Sequence, residues 1–79
     1  MKATIMVTGA ADIAASLAGG KPVTVTPSGN HLIRFNTFGQ ARAAIRGYYK
    51  AVKLNGQKMA YDSLNGSLIF GDTEISILK

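Results

Sequence analysis

The chain has no cysteine, no tryptophan, a single histidine and only four acidic residues among its 79. Without cysteine there is neither a disulfide framework nor a thiolate metal site. One histidine, His31, is the only side chain whose ordinary titration falls near neutral pH, and no acidic residue lies near it in sequence to orient it. The four acids, Asp12, Asp62, Asp72 and Glu74, are scattered and supply no spaced set of metal ligands. Gly19-Gly20-Lys21 lacks the upstream glycine of a phosphate loop, and Pro22 stands where that loop needs Ser or Thr. These absences argue against an enzyme and against any metal or cofactor. Long apolar runs are also missing, so no membrane span is expected. The opening MKATIMVTGAADIAASLAGG is interrupted by Thr4, Thr8 and Asp12 and reads as a strand and helix, not as a signal sequence. A cytoplasmic, soluble protein is the expectation.

Positive charge is what the chain has in excess: nine Lys and Arg against four acids, a net charge of +5. Its placement is uneven. Lys21, Arg34, Arg42, Arg46, Lys50, Lys53 and Lys58 fall within residues 13–61, an interval with no acid. Such a segment generates a positive field over part of the surface, serving either solubility or an anionic partner. An apolar content of 47% is that of a globular chain, and residues 1–79 are short enough to form one domain.

Periodicity predicts the elements. Ala3, Ile5 and Val7 alternate with Thr4, Met6 and Thr8, a half-buried strand over 2–8. Residues 10–18 suit a short helix stopped by Gly19-Gly20. Pro22 opens a strand, 27–30 turn, and 31–35 return with His31, Ile33 and Phe35 on one face. A second helix opens at Asn36 or Thr37 and runs to about Lys50. Its core stripe, Phe38, Ala41, Ile45, Tyr48 and Val52, spans about 80° of arc. Arg42, Arg46, Lys50 and Lys53 form a second arc centred about 120° away, and Tyr49 lies between the two. Gln40, Ala43 and Gly47 leave the face opposite the core nearly bare. Three strands follow, near 57–63, 67–70 and 73–78, with Asn65-Gly66 suited to a type I′ hairpin and Gly71-Asp72 to another tight turn.

This order predicts an α+β fold: β-α-β-β-α-β with two extra C-terminal strands, an antiparallel-rich sheet with helices on one face, and the ferredoxin-like arrangement as its candidate topology. The residues predicted to meet a partner are Arg42, Arg46, Tyr49, Lys50 and Lys53 on the second helix and Arg34 on the preceding strand. Reactive chemistry being absent, the partner is expected to be a protein or ribonucleoprotein complex with an acidic surface. The alternative is RNA or DNA, its phosphates meeting the basic helix face. Exposed strand edges leave open a third role, assembly through edge pairing.

Residues 28–59, SGNHLIRFNTFGQARAAIRGYYKAVKLNGQKM, resemble the second half of an RNA-recognition motif. Gly29, Ile33 and Phe35 match that family's signature strand, Ala41, Ala44 and Ile45 its helix, and Leu54-Asn55-Gly56 its following turn. Ser28 replaces the leading base of the signature, and Asn30 and Leu32 replace its two stacking aromatics. The resemblance therefore implies a similar fold without the family's base-stacking chemistry. In type, though by no motif, this small α+β chain without catalytic residues also resembles the phage-encoded anti-CRISPR inhibitors. Those bind a host effector complex and block access to it. Many are acidic mimics of nucleic acid; a basic chain would instead bind a protein surface, or sit against RNA or DNA within a complex.

Overall fold

The computed structural model describes residues 2–78. Its elements run β1 (Ala3–Thr8), α1 (Ala11–Ala18), β2 (Thr24–Val25), β3 (Asn30–Phe35), α2 (Phe38–Lys53), β4 (Ala60–Asp62), β5 (Ser67–Phe70) and β6 (Thr73–Leu78). The fold is α+β, with one six-stranded open sheet in the order β2-β3-β1-β6-β5-β4 and every pairing antiparallel. No helix among the described residues is long and apolar enough to cross a membrane.

The strand order departs from the ferredoxin-like expectation with two strands added at the C-terminus. The strand that follows α2 does not close the sheet. The last strand, β6, lies beside β1, while β4 and β5 continue the sheet beyond it. The reason lies in the side chains. Ile75 is fully buried and Ile77 partly so, which suits a strand with neighbours on both sides. Of the three residues of β4 only Tyr61 is even half-buried, which suits an edge.

Cross-strand register assembles the core in rows. Ile33, Ile5 and Ile77 are paired across β3, β1 and β6. Val7, Ile75 and Leu68 are paired across β1, β6 and β5. Ala41 and Ile45 of α2 and Ala14 and Leu17 of α1 join the same buried cluster, so both helices cover one face of the sheet. Each fully buried Ile or Leu contributes about 1.5–3 kcal/mol relative to exposure. The other face carries Thr4, Met6 and Thr8 of β1 with their partners on either side: Asn30, Leu32 and Arg34, then Ser76 and Leu78.

Local signals explain the element ends. Gly19 caps α1 with φ +58°, and the Thr37 hydroxyl accepts a hydrogen bond from Gln40 N at 3.0 Å to open α2. α2 continues one turn past Lys50, and no residue breaks the helix before Asn55-Gly56. Gly29 N donates to Thr26 O at 2.9 Å around Pro27, and Gly29 takes φ +88°, a type I turn followed by a glycine bulge. The strand expected from Pro22 shortens to Thr24–Val25, and that expected over 57–63 to Ala60–Asp62, because each has a neighbour on one side only. The β4–β5 turn corrects the type I′ expectation. That turn needs positive φ at both central residues, and Gly66 alone has it. Instead Ser63, Leu64, Asn65 and Gly66 form a four-residue loop, closed by Gly66 N donating to Asp62 O at 2.8 Å.

Candidate functional site

Helix α2 exposes Arg42, Arg46, Lys50 and Lys53 on the side turned from the core. Arg42, Arg46 and Lys50 recur every fourth residue, so each stands about 6 Å farther along the axis than the last. Lys50 and Lys53 also occupy the last turn, where positive charge meets the negative end of the helix dipole. Among the described residues no carboxylate pairs with any of these four.

The acid of the neighbouring strand, Asp62, is engaged elsewhere. Its Oδ1 accepts from Leu64 N at 3.0 Å and from Asn65 N at 3.3 Å, and its Oδ2 accepts from Asn65 Nδ2 at 2.8 Å. The Asn65 side-chain bond, then its backbone bond, hold the Asp62 carboxyl below the usual carboxylate range. Asp62 thus closes the β4–β5 loop, and among the described residues it does not pair with the cations of α2.

Tyr49 is half-buried and lies flat against Tyr61 of β4, ring centroids 4.4 Å apart and planes at 17°. Lys53 Nζ stands 5.5 Å over the Tyr49 ring, a cation–π contact. Arg42, Arg46, Tyr49, Lys50, Tyr61 and Ser63 together line an open hollow between α2 and the β4 edge. Its guanidinium, ammonium, phenol and hydroxyl groups can all donate hydrogen bonds, and none is a carboxylate. On the other flank of the two arginines a second depression is lined by Gly39, Arg42, Ala43 and Arg46, where small residues let a partner approach the helix closely.

The fold therefore brings together five of the six residues expected to meet a partner: Arg42, Arg46, Tyr49, Lys50 and Lys53. Arg34 stands apart, on the sheet face that no helix covers, in a shallow hollow with Thr4, Thr24, Leu32 and Leu78. Asn30 and Leu32 share that uncovered face, while Ile33 and Phe35 are buried beneath the helices. His31 is partly buried, and its Nδ1 has no hydrogen-bond partner.

No protein-family model, curated protein or solved structure matches this chain.

Tyr61 and Ser63 are the members of the hollow that the sequence did not announce. Tyr61 lies in the edge strand β4 and Ser63 in the loop after it, eight and ten residues past the end of the helix they adjoin. Alternation along β4, with Tyr61 as its one aromatic, is the signal that points to them.

Proposed function

We propose that this chain is a small non-enzymatic binding protein that docks the outer face of α2 on an anionic surface of a protein or ribonucleoprotein complex. It acts by occlusion, as an inhibitor of the anti-CRISPR type. The observation that carries this reading is the row Arg42, Arg46, Lys50 and Lys53, exposed on one helix and free of carboxylate partners among the described residues. A cation row that stabilised its own fold would face acids of the same chain; this row faces outward. Gly39, Ala43 and Gly47 beside it add no bulk that would hold a partner away. Exposed charges of this kind steer encounter and set orientation more than they add affinity. Lack of cysteine fits the reducing cytoplasm, where such a target would be met.

The test is affinity capture from a bacterial lysate, with and without nuclease, using the native chain and Arg42→Glu/Arg46→Glu. The native chain is expected to retain a partner that the double reversal loses, with both proteins folded and melting cooperatively. Equal capture by both proteins would remove this face from consideration. Nuclease sensitivity assigns the contact to the nucleic acid of the complex, and resistance assigns it to protein.

A further inference from the structure

We infer that the hollow between α2 and β4 is a binding site for single-stranded nucleic acid, with Arg42, Arg46 and Lys50 on successive phosphates and Tyr61 as a stacking surface for a base. This deepens the docking reading above and rests on it. It names which component of an anionic complex the face would touch.

Three features of the hollow favour a nucleic-acid strand over an acidic protein patch. The cations are evenly spaced, about 6 Å per step along one helix, and a strand carries one charge at every nucleotide. Carboxylates on a folded protein surface repeat at that step only along an element that carries an acid at every fourth residue of a helix. Two of the three cations are guanidinium groups, whose planar forks match phosphate oxygens in pairs.

The third feature is the aromatic floor. A site for carboxylates alone has no use for a ring. Here Tyr61, half-buried, borders the cations and is held in place by its stack on Tyr49. Every base has a π-face, so a fixed ring beside a phosphate-binding row suits a strand whose bases are free. A duplex keeps its bases stacked on one another and would make no use of Tyr61. This surface is also separate from the uncovered sheet face, where Asn30 and Leu32 offer no aromatic.

The experiment titrates the native chain into three probes: a labelled single-stranded oligonucleotide of about ten nucleotides, its duplex, and poly-glutamate of matched charge. Fluorescence anisotropy reads binding. The chain has no tryptophan, and two of its three tyrosines line the hollow, so tyrosine emission reports on the site directly. The single strand is expected to bind more tightly than the other two, with log K falling against log salt at a slope of about −2 for three phosphate contacts.

Arg42→Gln/Arg46→Gln is expected to lower that affinity at least about tenfold and to flatten the slope. Tyr61→Leu should cost about five- to 150-fold on the single strand and leave duplex binding unchanged. Tyr61→Phe, which keeps the ring, should bind as the native chain does and serves where Tyr61→Leu fails to fold. Poly-glutamate or duplex binding as tight as the single strand, or single-strand affinity indifferent to the arginine variant, overturns the inference. If the strand fails to bind while lysate capture still depends on Arg42 and Arg46, this inference falls and the docking reading stands. If neither is seen, both fall.

Discussion

Gly66 sits where the β4–β5 loop, β6 and α2 meet, and it illustrates how one backbone position holds the candidate site. Its φ is +74°, and a Cβ there would lie 2.7 Å from Ile77 Cδ1 and 3.2 Å from Arg42 Cγ. Gly56 has a similar φ, +81°, with nothing within 4 Å. Comparing alanine at the two separates backbone strain from crowding. Gly56→Ala should cost about 1–2 kcal/mol from the left-handed conformation alone. Gly66→Ala should cost more in urea denaturation and should also displace Arg42, weakening partner binding; equal costs would mean that Ile77 and Arg42 yield freely. Asp62 holds the other end of the loop. Its folded carboxyl ionises below the unfolded value, so its contribution is present above the unfolded value and fades as pH falls through the folded one. Asp62→Ala should flatten that part of the acid limb of the stability profile. An unaltered limb would place the loop's stability elsewhere.

Helix α2 joins core and surface, and each of its faces was readable from spacing alone. Ala41 and Ile45 are fully buried, while Phe38, Tyr48 and Val52 are half-buried along the same stripe, as the heptad-like spacing requires. The basic arc followed from the same count of residues; residue type left the cap at Asn36 or Thr37, and the structure has Thr37. What spacing could not supply was the neighbour. Tyr49 falls between the two arcs by angle, and only the return of the chain in β4 places Tyr61 against it. The C-terminal order was opaque for a related reason: local pattern marks β4, β5 and β6 as strands but does not say which one pairs with β1. The helix nonetheless gives a firm stability prediction. Ile45→Ala removes a fully buried side chain from the core cluster that also holds Leu68 and Ile75 and should cost about 2–5 kcal/mol in chemical denaturation. Thr37→Ala should cost about 1 kcal/mol through the lost hydrogen bond to Gln40 N. A double-mutant cycle on Tyr49 and Tyr61 should return a coupling of about 0.5–1.5 kcal/mol, and zero coupling would make their stacking incidental.

Across the molecule as a whole, the sheet edges and the charged face of α2 offer opposite prospects for binding. The two sheet edges are minimal, two residues in β2 and three in β4, with Pro22 and Pro27 flanking the first. Such edges discourage strand addition, which weighs against assembly by edge pairing. The α2 cations work the opposite way: they raise the energy of the free protein. Arg42 and Arg46, and Arg46 and Lys50, are like-charged neighbours four residues apart, each pair destabilising by about 0.2–0.5 kcal/mol at low ionic strength. Removing the middle charge relieves both. Arg46→Gln should therefore be more stable than the native chain, by up to about 1 kcal/mol in low salt. The difference should shrink as added salt brings the screening length below the 6 Å step between neighbours, at an ionic strength of about 0.3 M and above. Thermal melts of both proteins across a salt series measure it. Were Arg46 bound to a carboxylate of its own chain, the substitution would destabilise instead, and the cation row would be part of the fold's interior accounting. A stabilising substitution that also abolishes binding is what a surface kept for a partner should give, since the repulsion it removes is the same charge the partner would neutralise.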